Sequence, residues 1–84
     1  MPPDVSIIIV SFNTEALLAR AIQSIVDQVK GVTHELIVVD NASRDGSPEM
    51  VRSRFPEVRL IENPVNAGFG AANNLGAAAA TGRF

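Results

Sequence analysis

Leu36-Ile37-Val38-Val39-Asp40-Asn41-Ala42-Ser43-Arg44-Asp45-Gly46 is the stretch on which the fold turns. Its four aliphatic residues read as a strand, and the seven that follow favour turns and side-chain bonds to their own backbone. Downstream, Ser47 followed by Pro48 resembles an N-cap with proline at the first helical position. Met50, Val51 and Phe55 give that helix a short apolar face, and Pro56 ends it. Upstream, Val5-Ser6-Ile7-Ile8-Ile9-Val10 is a nearly continuous β-branched run, the pattern of a central parallel strand covered on both faces.

Between these two strands, Asn13 or Thr14 can cap a helix whose apolar positions are Leu18, Ile22, Ile25 and Val29. Leu17, Ala21 and Val26 widen its stripe, and the helix stops near Gly31. Val58-Arg59-Leu60-Ile61 is a third strand whose charge suits an edge. Glu62 to Asn66 is a loop. From about Ala67 a third helix runs through Ala71, Ala72, Leu75 and Ala79 toward Gly82, and Arg83-Phe84 stands where a fourth strand would begin. Strands and helices thus alternate as βαβαβα, which calls for an α/β fold with a parallel sheet and right-handed crossovers. With the order 3-2-1 the most hydrophobic strand lies on an open edge without charge, proline or bulge to blunt it. That exposure predicts a partner along Val5 to Val10, either further chain or a second copy in a homo-oligomer.

Composition narrows the function. The chain has 84 residues, 46% of them hydrophobic, 19% charged, with a mean hydropathy of +0.20. It reads as a single packed unit over residues 1–84. At this size about 60 to 65% of the unfolded surface is buried, so the stability margin is thin. Net charge is −2 and the seven Lys and Arg residues are scattered, which argues against nucleic acid as a partner. No cysteine is present, so disulfides and thiolate zinc sites are excluded, and a reducing, cytoplasmic location is the expectation. His34 is the sole histidine. Met1-Pro2-Pro3-Asp4 lacks a basic lead, and the following apolar run is too short for a signal peptide or a membrane span.

In an open parallel sheet ligands bind beyond the carboxyl ends of the strands, where the strand order reverses. Asp40 is the most informative residue by position. Its carboxylate can accept hydrogen bonds from a ribose hydroxyl or a base N–H, or it can cap its own turn through Ala42 or Ser43, and spacing favours neither. Gly68-Phe69-Gly70-Ala71-Ala72-Asn73 follows a strand and opens a helix, but Asn73 stands where a dinucleotide motif has its third glycine. The start of that helix could face a phosphate, or the glycines could serve close packing. Asp45 and Glu49 are explained by the helix dipole without a metal. Asn41-Ala42-Ser43 matches a glycosylation acceptor and is assigned no function.

Three segments, Val5 to Asn13, Glu35 to Ser47 and Glu62 to Asn74, together resemble family 2 glycosyltransferases of the GT-A fold, most closely bacterial rhamnosyltransferase-like members of polysaccharide or cell-wall assembly. The resemblance implies a truncated Rossmann-like GT-A half, the amino-terminal nucleotide-sugar-binding portion of an enzyme that transfers a sugar from a nucleoside-diphosphate sugar to a glycan or lipid-linked acceptor. It further implies that Val10 and Phe12 flank the nucleoside, Asp40 bonds the base or ribose, and Gly68 approaches the diphosphate. Asn41 and Ser43 shape the loop. Family members continue into an Asp-containing motif that holds a divalent metal, Mg or Mn, and later supply a catalytic base. No residue here matches either, so no metal site, no catalytic residue and no transfer activity are expected of these 84 residues alone. The competing expectation is a non-catalytic interaction module that assembles through its first strand.

Overall fold

The computed structural model describes residues 3–66 and 68–82. Three parallel strands, β1 (Val5–Ser11), β2 (His34–Asn41) and β3 (Arg59–Asn63), form one sheet in the order β1-β2-β3. Helices α1 (Glu15–Gln28), α2 (Ser47–Arg54) and α3 (Phe69–Ala79) alternate with them. This is the expected α/β arrangement.

Period-two alternation along the strands divides the core into two layers. Ile7, Ile9, Leu36, Val38 and Leu60 pack with Leu18, Ala19, Ile22, Met50, Val51 and Phe55 of the α1 and α2 side. Ile8, Val10, Ile37, Val39 and Ile61 turn the other way, onto Ala72, Ala79 and Ala80. Only β2 is covered on both faces and paired on both edges, and its residues from Leu36 to Asn41 are buried. β1 has the composition of a central strand but lies on the edge, where the order 3-2-1 places it, half-buried along Val5 to Val10. A three-stranded sheet has one central place, and β2 takes it by pairing with both neighbours.

Elements end differently from the sequence expectation in several places. The stripe of α1 is narrow: Leu17, Ala21 and Val26 face solvent, because the sheet beneath is too slender to cover them. α1 stops at Gln28, before Gly31. Gly46, not Ser47, holds the N-cap position of α2, and Ser47 is its first helical residue. β3 runs on through Glu62 and Asn63, which pair in register with Asp40 and Asn41. α3 begins at Phe69 behind Gly68; Ala67 and Arg83-Phe84 lie outside the described residues.

α1 and α2 share one face, whereas α3 crosses back over β2 and β1 on the other. That return needs a flat helix surface. Gly76 supplies it, since a Cβ there would meet Ile8 Cγ2 at 2.5 Å and Val39 Cγ2 at 3.3 Å. Past the helix, Glu35 gathers the returning chain. Its Oε1 accepts from Ser6 Oγ and from the Thr81 amide, both at 2.6 Å, and the Gly82 amide donates to Ser6 Oγ at 2.7 Å. These bonds, that from the Ser6 hydroxyl foremost, hold the Glu35 carboxyl below its usual range.

Gly76→Ala is expected to cost about 1–3 kcal/mol through overpacking. Gly70→Ala, on the same helix with nothing within 4 Å of the new methyl, is expected to be neutral or to stabilise by up to about 1 kcal/mol. Denaturant titration of the two variants checks the contrast.

Candidate functional site

The carboxyl ends of the three strands open into loops that are bound to one another. Asp40 binds Ser43 twice, its Oδ2 accepting from the amide at 2.9 Å and its Oδ1 from the hydroxyl at 2.6 Å. Ser43 Oγ in turn accepts from the Asn13 amide at 2.9 Å, and Asn13 Oδ1 accepts from the Arg44 amide at 2.7 Å. The β1–α1 and β2–α2 loops are therefore stitched side by side. Two residues in them adopt left-handed backbone, Asn13 at φ 50° and Ala42 at φ 62°. Asparagine tolerates that region, but alanine adopts it at a cost of roughly 1–2 kcal/mol, which the Asp40–Ser43 bonds must offset.

Helix capping extends the stitching. Thr14 occupies the N-cap position of α1 without a side-chain cap bond; its hydroxyl meets that of Ser11 instead. The cap comes from Asp45, whose Oδ2 accepts from the Glu15 amide at 3.1 Å while its Oδ1 accepts from the Ser47 amide and hydroxyl at 2.9 and 2.6 Å. One carboxylate thus serves the starts of α1 and α2. Glu15 Oε1 returns the bond by accepting from the Gly46 amide. The Ser47 hydroxyl first, then the Ser47 and Glu15 amides, hold the Asp45 carboxyl below its ordinary value near 3.8.

The neighbouring residue, Asn41, serves the opposite face. Buried at 2% exposure, it accepts from Asn63 Nδ2 at 3.0 Å and donates through Nδ2 to Asn66 Oδ1 and to the Gly68 carbonyl, each at 3.1 Å. Gly68, at φ 86°, requires the left-handed freedom of glycine, and its amide donates to Asn66 Oδ1.

Between these loops lies a cleft of about 820 Å³. Phe12, 45% exposed, the buried Asp40, Arg44 and Pro48 line it together with Asn63 to Asn66, which form a continuous stretch of its wall. Of the four expected site residues the structure brings Phe12 and Asp40 together. Val10 is packed into the α3-side core, and Gly68 holds the N-cap position of α3; neither is among the cleft-lining residues. Asp40 caps its turn through Ser43, and it also borders the cleft. From the sequence, Arg44 has no role beyond its turn, and Asn63 to Asn66 belong to the loop at the carboxyl end of the third strand, one of the strand ends where a ligand is expected.

A divalent metal does not fit these residues. Among the described residues no three His, Cys, Asp or Glu side chains converge, both Asp40 oxygens are bound to Ser43, and the half-exposed Glu62 is paired with Arg52 of α2.

Residues 6–84 match the sequence pattern of the family described as Glycosyl transferase family 2. The chain belongs to glycosyltransferase family 2. It is 42% identical over 83 residues to the succinoglycan biosynthesis protein ExoO of Rhizobium meliloti, covering 98% of this chain and 24% of that one. It is 41% identical over 39 residues to the N-acetylglucosaminyl-diphospho-decaprenol L-rhamnosyltransferase of Mycobacterium tuberculosis, a stretch covering 46% of this chain and 13% of that one. Among solved structures it resembles the mannosyltransferase PcManGT from Pyrobaculum calidifontis in complex with GDP-Man and Mn2+, with a TM-score of 0.83 and 30% identity. That alignment covers 96% of this chain and 25% of the mannosyltransferase, so this family 2 chain spans about a quarter of the length of such relatives. The GT-A half expected from the sequence is the fold observed.

Because the folded pKa of Asp45 is depressed, its contribution to stability is complete above the ordinary carboxylate value and is lost as pH falls through the lower, folded one. Asp45→Asn should therefore lower stability at neutral pH and flatten its decline below about pH 4. Denaturation midpoints of both chains across an acid series measure this.

Proposed function

We propose that the cleft receives the nucleoside diphosphate of a nucleotide sugar, and that these residues are the donor-recognising part of a longer enzyme that transfers sugar to a glycan or lipid-linked acceptor in polysaccharide or cell-wall assembly. The observation that carries this reading is that an exposed aromatic ring, Phe12, and a buried carboxylate, Asp40, line one cleft at the carboxyl ends of parallel strands. The nucleotide sugar and the polysaccharide named for its relatives support it.

On this reading the base stacks on Phe12, as aromatic side chains stack bases generally. Each Asp40 oxygen, already taking one bond from Ser43, keeps a lone pair for a base N–H or a ribose hydroxyl. Val10, near the end of β1 and two residues before Phe12, packs in the α3-side core. Gly68, with open space where a Cβ would be, leaves room for the diphosphate to approach the start of α3.

Transfer needs more than donor binding. The acceptor hydroxyl requires a base within about 3 Å, and charge on the departing diphosphate must be stabilised. Asp40 and Glu62 are both engaged elsewhere, so we assign the base and the divalent metal, Mg or Mn, to the remainder of the longer protein. The 84-residue chain alone is proposed to be inactive in transfer. Cytoplasmic location belongs to the same reading; among the described residues no helix is long and apolar enough to cross a membrane.

One observation favours a second reading, an interaction module without catalysis. β1 is an uncharged edge strand, half-buried, which suits pairing with a second copy. Light scattering at high concentration is expected to give a dimer or larger species, whereas a monomer with solvent-exchanging β1 amides contradicts this assembly.

Phe12→Ala is expected to weaken nucleotide binding by about tenfold or more, the effect of losing one base–aromatic stack, with little change in folding stability because the ring is already half exposed. Calorimetric titration with UDP and GDP, beside a denaturation curve, checks both halves.

A further inference from the structure

We infer that Asn41 is a positioning residue of the nucleotide cleft, fixing the Asn63–Asn66 wall at its working distance from Phe12 and Asp40. The inference rests on the nucleotide reading of the cleft and assigns a task to a residue that does not line it.

Three features lead to it. First, Asn41 grips both ends of the wall: its carbonyl holds Asn63, the register partner opposite it on β3, and its amide holds Asn66. Second, the amide reaches through to the Gly68 carbonyl, so the wall and the first turn of α3 are held by one side chain. Third, Asn41 is buried, so no water stands ready to replace a lost partner. A buried amide left unsatisfied carries the full desolvation cost of its polar groups, and the loop must therefore move if the residue changes.

Alternation along β2 explains why the task falls here. Asp40 points to the α1 and α2 side and holds the β2–α2 loop; Asn41 points to the α3 side and holds the β3–α3 loop. The two sides of the cleft are thus referenced to adjacent Cα atoms of the most buried strand. Few arrangements could set the width of a cleft with less slack. Asparagine suits the position because it must both accept and donate. Aspartate has the same shape but cannot donate at neutral pH, and would set its charge against Asn66 Oδ1 and the Gly68 carbonyl.

The test uses Asn41→Asp and Asn41→Ala in the 84-residue chain, with UDP and GDP as probes. Affinity is read by nuclear magnetic resonance titration, with amide exchange and thermal unfolding measured on the same samples. The expected result is a loss of affinity of about tenfold or more in both variants, at temperatures where both are folded. Gly68 amide exchange should accelerate, while Val38 and Val39 keep their protection. Affinity within twofold of the parent chain, with lowered thermal stability, would overturn the inference and leave Asn41 a purely structural residue. If the variants fail to fold, Asn66→Ala, which removes the exposed partner of the same clamp, must show the affinity loss instead. Should the parent chain bind neither nucleotide at millimolar concentration, the nucleotide reading itself fails and the inference with it.

Discussion

β2 is the strand on which the other elements depend. It is paired on both edges and covered on both faces, and its last two residues, Asp40 and Asn41, are polar yet as buried as the valines before them. Burying two polar side chains at the end of an apolar strand is unfavourable unless each finds partners, and each does so within a loop on its own face of the sheet. Loops that would otherwise fray are thereby tied to the best-packed part of the molecule. The left-handed Ala42, and the positive φ of Gly68, are the backbone consequences of those ties.

The two layers around β2 differ in kind. On the α1 and α2 side, large aliphatic residues and Phe55 fill the core, and Asp45 joins the starts of both helices with one carboxylate. On the other side α3 presents alanines and Gly76, and close approach replaces bulk. Such a helix gains less from apolar burial, and the Glu35–Ser6–Thr81 bonds beyond its end add the anchorage that its small side chains do not provide. A half-open sheet of this kind has a modest core, which is consistent with a chain that spans a quarter of the length of its relatives.

Much of this was legible in the sequence because it follows from local periodicity. The apolar runs at Val5 and Leu36, the turn after Asp40 and the small-residue helix near Ala72 each declare themselves within a few residues. What escaped depends on partners distant along the chain. Of the two expected caps of α1, Asn13 and Thr14, Thr14 takes the N-cap position, but the bond comes from Asp45, 30 residues from Glu15. Glu35, to which the sequence reading assigns no role of its own, fastens a segment 46 residues away. Within the cleft, Asp40 stands out by its place at the end of an apolar strand, whereas Phe12 enters only through the family resemblance, and the partners that Asn41 holds, Asn63, Asn66 and Gly68, lie 22 to 27 residues away. The position of β1 could not be read from its own composition, since edge or centre is decided by which strands pair.

The most direct test of the cleft as a nucleotide site is contact between ligand and protein protons. In isotope-labelled chain saturated with a nucleoside diphosphate, nuclear Overhauser effects from the base protons should reach the Phe12 ring and the side chains of Pro48 and Val65. Effects directed instead to Leu17 and Met50 in the groove between α1 and α2, or to Val26 and Phe55 at the opposite end of the sheet, would contradict it.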